Sequence, residues 1–158
     1  MDGNLKIVGR HKDEGSAIWF LNGLSFIRVS SDETGGSFAL IEDVLPAGRD
    51  TPYHVHERED ETFYIIEGQA TFLSEGQTIK ATAGSTIFLP RKIPHGFRAD
   101  TPGRMLILTT PGGFDRFVRE VGVPAESLTL PPPTEPDYAR LTTIAARYGI
   151  GILGPLPA

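Results

Sequence analysis

The sequence contains no cysteine. Disulfide cross-links, a thiolate metal site and a cysteine nucleophile are therefore all excluded. It also lacks a basic run. Fifteen Lys and Arg stand against twenty Asp and Glu, giving a formal net charge of −5, so no nucleic-acid partner is expected. No apolar stretch approaches the roughly 20 residues of a membrane span, so no membrane partner is expected either. The polar opening, MDGNLKIVGRHKDEG, has no apolar segment of the kind that directs secretion, and the expected location is cytoplasmic. No internal repeat or low-complexity tract is visible.

Glycine and proline, by contrast, are plentiful, at 18 and 13 of 158 residues. They punctuate the chain at intervals of about ten residues, the cadence of an all-β sandwich or barrel. A chain of this length with one set of motifs reads as a single domain over residues 1–158. Its barrel core is expected at about 17–110 and a C-terminal helical extension at about 111–158.

The first fifteen residues read as a loose arm, with one short strand at Leu5–Val8. Ala17–Leu21 and Leu24–Ser30 flank Asn22-Gly23, a strong short-range hairpin signal. Ser37–Leu45 alternates as a strand. Further short strands follow at Phe63–Ile66, Ala70–Leu73, Thr78–Ala81, Ser85–Leu89, from His95 to Ala99, and at Arg104–Thr110. Beyond Pro111 the pattern changes. Phe114, Phe117, Val118 and Val121 recur at helical spacing, Pro131-Pro132-Pro133 is a stiff spacer, and Asp137–Tyr148 reads as a second amphipathic helix with Gly149 as its C-cap. Ile150–Ala158 is apolar and is expected to pack on the barrel or on a partner.

Chemistry concentrates between Gly48 and His95, where three of the four histidines lie. His54 and His56 are two apart, so on a strand both side chains share one face. Glu57, Arg58, Glu59 and Asp60 read as a solvated hairpin turn, and Glu61 opens the returning strand, where its carboxylate faces the imidazoles. His95 arrives from a third strand after the Pro90–Pro94 turn. Three imidazoles and a carboxylate suit one divalent transition metal, whether Fe, Mn, Ni, Cu or Zn. Asp60 is the one rival to Glu61. His11, within the charged Arg10–Glu14 stretch, reads as a surface residue.

The spacing of these residues resembles the first motif of the cupin family. It runs Gly48, five residues, His54-Val55-His56, four residues, Glu61, six residues, Gly68. The second motif is matched at Gly84, Pro90 and His95, with Lys92 where a glycine is usual and Ala99 where an asparagine is usual. The resemblance implies an all-β cupin double-stranded β-helix, a jelly-roll barrel, with metal ligands His54, His56, Glu61 and His95. A single barrel followed by a PGGF-type helix and a helix ending in YGI-x-ILGP is similar to small bacterial quercetin-dioxygenase-like cupins.

Four ligands on a barrel wall leave open positions for a small-molecule substrate. Glu61 then has two candidate roles, fourth ligand and general base. Tyr53, Phe63, Phe72, Phe88, Phe97 and Met105 read either as pocket lining or as plain core, and Arg91 and Lys92 as a solvated turn at the mouth. Three functional classes follow. The first is a metal-dependent dioxygenase acting on a flavonol-like or other enolisable phenolic or diketone compound. The second is an isomerase, cyclase or lyase that uses the metal without oxygen, and the third a non-catalytic small-molecule binder. A homodimer is expected, because Trp19–Phe20 and the apolar C-terminal tail otherwise lack cover.

Overall fold

The computed structural model describes residues 5–158. Among these residues twelve strands and two helices are formed: β1 (Ser16–Phe20), β2 (Gly23–Val29), β3 (Ala39–Leu45), β4 (Tyr53–His56), β5 (Asp60–Glu67), β6 (Gln69–Ser74), β7 (Gln77–Thr82), β8 (Thr86–Leu89), β9 (Gly96–Ala99), β10 (Gly103–Thr110), α1 (Phe114–Val121), β11 (Val123–Pro124), α2 (Tyr138–Arg147) and β12 (Ile150–Gly154). The architecture is an all-β jelly-roll barrel with a short C-terminal helical part. One sheet runs β11-β1-β2-β3-β10-β5-β8, a second pairs β7-β6-β9, and a two-stranded ladder joins β12 to β4.

Alternation along the strands decides which side chains enter the barrel. In β3, Ala39, Ile41, Asp43 and Leu45 point inward, and in β5 Glu61, Phe63 and Ile65 do so. Phe63, Phe72 and Phe97 pack as a trio of rings with centroids 5.1 to 5.6 Å apart. Gly68 takes φ +85°, and a Cβ there would lie 2.4 Å from the Pro102 carbonyl oxygen. Only glycine fits that turn.

Leu5–Val8 forms no strand. Its apolar residues are exposed, because no sheet edge lies alongside to supply a ladder. The arm is nevertheless tethered. The Arg10 guanidinium donates to the Arg28 carbonyl at 2.7 Å and to Glu33, and Arg28 donates to the Glu14 and Lys12 carbonyls, both at 2.7 Å.

The C-terminal part closes the barrel on the side of the histidines. Phe114 and Phe117 of α1 pack edge-on against Phe20. Asp137 caps α2 by accepting from the Arg140 backbone N–H, as expected of an acid at that position. Ile150–Gly154 runs antiparallel to β4, with Ile150 opposite His56 and Ile152 opposite His54. Pro131–Pro133 adopts no regular element. Just beyond it, Asn22 donates to the Thr134 carbonyl at 2.8 Å and accepts from the Thr134 N–H at 3.0 Å, which ties the segment to the first hairpin.

Candidate metal centre

His54, His56, Glu61 and His95 converge inside the barrel, each offering one donor atom, and these atoms all lie within 4.8 Å of one another. β4 supplies the two histidines from one face, and β5 supplies Glu61 as its second residue. His95 precedes β9 and is held opposite His54 by paired backbone bonds of 2.9 and 2.8 Å. Asp60, the rival carboxylate, points outward and forms an ion pair with Arg91 at 3.1 Å.

Each imidazole is oriented through its Nδ1. That atom of His54 donates to the Pro52 carbonyl at 2.7 Å, and that of His95 to the Ile93 carbonyl at 3.0 Å. In His56 it meets the Glu59 carboxylate at 2.7 Å. Carbonyl oxygens only accept, so the proton sits on Nδ1 in His54 and His95 and a lone pair is left on Nε2. The Nε2 of His95 lies 2.7 Å from Glu61 Oε2, and that of His56 lies 3.4 Å from the same oxygen. His56 Nε2 is fully buried and has no hydrogen-bond partner. An orphaned buried nitrogen beside a carboxylate and two further imidazole nitrogens is the donor set of a divalent metal.

Charge in the cluster is set by burial and by mutual attraction. Burial, helped by the neighbouring imidazoles, pushes His54 down to about 3, so it is neutral at ordinary pH. Burial also pulls on His56, but Glu61 and Glu59 outweigh it and raise that ring. Burial would raise Glu61, yet His56, His95 and His54 together bring it to about 2. The site therefore holds a permanent carboxylate.

Glu59 departs from its expected place at a solvated turn. It is only 4% exposed, because the turn folds inward and brings its carboxylate onto His56. Glu57 and Arg58 remain exposed. Lys92, at the glycine position of the second motif, adopts φ +68° and donates its N–H to the His56 carbonyl at 2.7 Å. The turn keeps its shape at a backbone cost of roughly 1–2 kcal/mol.

A small, predominantly apolar pocket adjoins the cluster. Of the aromatic candidates, Phe63 and Phe97 line it. Phe72 and Met105 belong to the core, the Tyr53 hydroxyl accepts from the Glu75 N–H, and Phe88 faces solvent at 61% exposure. The other walls come from Phe20, Phe114, Phe117 and Leu141, and from Ile150 and Ile152 of the tail strand. The helical periodicity of Phe114 and Phe117 signalled an apolar face, but nothing in the sequence tied that face to this cavity. Two charged groups that sequence reasoning missed, Asp43 and Arg49, also line it.

Comparison with known proteins gives a consistent picture. A family model described as "Cupin domain" matches residues 41–111. A quercetin 2,3-dioxygenase of Bacillus subtilis is 32% identical over 132 residues, 83% of this chain but 39% of that protein's length. An uncharacterised protein of Methanocaldococcus jannaschii is 33% identical over 57 residues, 36% of this chain and 46% of that protein. The matches thus span less than half the length of either relative. Among solved structures, ectoine synthase from P. lautus superposes with a TM-score of 0.62 at 22% identity, covering 80% of this chain and 94% of that one. The polyketide cyclase RemF from Streptomyces resistomycificus gives 0.58 at 21% identity, covering 84% and 91%. At such identities these two likenesses speak for the fold alone.

Proposed function

Since the chain is a small cupin resembling quercetin 2,3-dioxygenase-like proteins, we propose that it is a metal-dependent dioxygenase. Its substrate on this reading is a flavonol-like or other enolisable phenolic or diketone small molecule. The observation that carries the proposal is the convergence of three oriented imidazole Nε2 atoms and one carboxylate on a buried apolar pocket. The 32% identity to the Bacillus subtilis dioxygenase supports the oxygenase class.

His54, His56, Glu61 and His95 would hold one divalent ion of Fe, Mn, Ni, Cu or Zn. Such an ion would act as a Lewis acid that acidifies an enolic hydroxyl and, where it is redox-active (Fe, Mn, Ni or Cu, not Zn), as a conduit for electrons between the organic substrate and dioxygen. The chain's own part is orientation and proton handling. The Nδ1 bonds to Pro52, Ile93 and Glu59 fix each ring. The surrounding imidazoles keep Glu61 an anion. With an ion in place, Glu61 would serve as its fourth ligand or as the base that accepts a proton from an enolic hydroxyl. The phenyl rings around the pocket exclude water and seat a flat apolar body.

Oxygen uptake by metal-loaded protein with a panel of flavonols, other enolisable phenols and diketones tests the reading. The expected result is consumption of oxygen by wild type, and a loss of turnover of about a hundredfold or more in Glu61→Gln, the usual cost of removing a general base, with metal retained in part. If no metal and no member of the panel gives oxygen uptake, the oxygenase reading fails. Product formed under strict anaerobiosis would replace it with an isomerase, cyclase or lyase.

A further inference from the structure

Arg49 lies in the loop between β3 and β4. That loop is fastened to β9, with the Gly48 N–H donating to the Ala99 carbonyl at 2.7 Å and the Thr51 N–H to the Phe97 carbonyl at 2.9 Å. The pairing turns the Arg49 side chain inward, where the residue is 8% exposed and lines the same pocket as the metal cluster. Its Nε donates to the Leu21 carbonyl at 3.0 Å, and its guanidinium carbon stands 5.5 Å from the Phe97 ring centroid. The two terminal nitrogens make no hydrogen bond to any described residue.

Asp43 and Asp50 act on this cation through space, but neither forms an ion pair with it. Asp50 is engaged by Arg98 at 3.4 Å. Asp43, the other acid in the pocket wall, accepts from the Ser25 hydroxyl at 2.6 Å, and among the described residues no acid lies within the 4.0 Å ion-pair distance of Arg49. Burial moreover raises the Asp43 carboxyl, against the pull of Arg49. The Arg49 side chain is mostly buried, and its two terminal nitrogens are free of partners among the described residues and open to an anion that enters the pocket. Its planar fork is shaped for the two oxygens of a carboxylate.

We propose that Arg49 anchors the substrate by a carboxylate, so that among enolisable phenolic and diketone compounds the pocket takes a compact one that carries a carboxylate, with its apolar body among the phenyl rings. This narrows the substrate class and rests on reading the His54, His56, Glu61 and His95 cluster as the reaction centre. The rival role for Arg49 is purely structural, as a strut between the first hairpin and β9 through the Leu21 carbonyl.

Calorimetric titration of the full-length, metal-loaded chain with benzoate and with benzyl alcohol separates the two. Wild type is expected to bind benzoate at least tenfold more tightly than benzyl alcohol, and Arg49→Met to bind both alike. Arg49→Lys should keep the charge but lose at least threefold in benzoate affinity, because the two-pronged contact is gone. His56→Ala, with its metal content measured in parallel, should still prefer benzoate. Loss of the preference in His56→Ala with retention in Arg49→Met would place the anion at the cluster and overturn the proposal. A wild type without preference would overturn it too, as would a folded Arg49→Met that keeps it. If Arg49→Met does not fold, undiminished benzoate affinity in Arg49→Lys is the overturning result. Metal loading in wild type reports on the reaction centre independently of any of these outcomes.

Discussion

A side chain's value in this site depends on what holds its far end. His54 and His95 are oriented by backbone carbonyls that no substitution can delete. His56 alone relies on another side chain, the buried Glu59 carboxylate at 2.7 Å. Outer carboxylates of this kind fix the tautomer and raise ligand basicity, and their loss typically weakens metal binding 10–100-fold. Glu59→Gln is therefore expected to lower metal affinity by that order, measured by competition with a chelator, while the fold is preserved. Unchanged affinity would show that Glu59 only fills space. The spacing of His54, His56, Glu61 and His95 made the cluster legible in the sequence, because side-chain direction along a strand follows from parity. The same parity put Asp43 on an inward face, yet a carboxylate buried by pattern looks no different in sequence from one that is solvated. Glu59 and Arg49 were illegible for a different reason. They sit in loops, where direction is set by long-range pairing with β9 and β12 rather than by period.

The elements of the barrel were legible for the same physical reason. The first hairpin was legible, although its turn is Leu21-Asn22, both at positive φ, and Gly23 opens β2; β3 and β10 alternate, and both helices carry apolar residues at helical spacing. The strands β11 and β12 were missed because each owes its existence to a partner remote in sequence, Trp19 opposite Val123 in one case and His56 opposite Ile150 in the other. The N-terminal arm shows how an irregular element can still be fixed by charge. The hydrogen bond from Arg10, and after it that from the Ser30 N–H, holds the Glu33 carboxyl at about 2 against an ordinary value of 4.5. The folded state thus binds fewer protons than the unfolded one between those values. Glu33 contributes stability that is complete above about pH 4.5 and is lost as the pH falls toward 2. Glu33→Gln should be less stable than wild type near neutrality, and the gap should close across that window in thermal unfolding scans. A gap of constant size down to pH 2 would contradict the ion pair.

At the scale of the molecule, no helix among the described residues is long and apolar enough to cross a membrane. Much of the surface expected to need a partner is covered by the chain itself. Phe20 is buried, Trp19 donates its indole N–H to the Thr129 carbonyl at 2.8 Å, and the tail forms β12 on β4. Among the exposed apolar side chains, Phe88, 61% exposed, and Tyr64, 46% exposed, lie together. They are diagonal neighbours on the outer face of β5 and β8, with Thr62 opposite Phe88 and Tyr64 opposite Thr86, and β8 is a sheet edge. Pairing of two copies across this edge would cover both the side chains and the open ladder. Light scattering at micromolar concentration is expected to give twice the chain mass of 17.2 kDa, and Phe88→Glu to return a monomer; a monomeric wild type would sink this proposal. The functional reading rests in turn on the metal. Elemental analysis of purified wild type and His56→Ala is the most direct test of it. About one divalent transition metal per chain in wild type, largely lost in His56→Ala, is the predicted result, whereas a metal-free wild type, or a variant with undiminished metal, would contradict the four-residue centre.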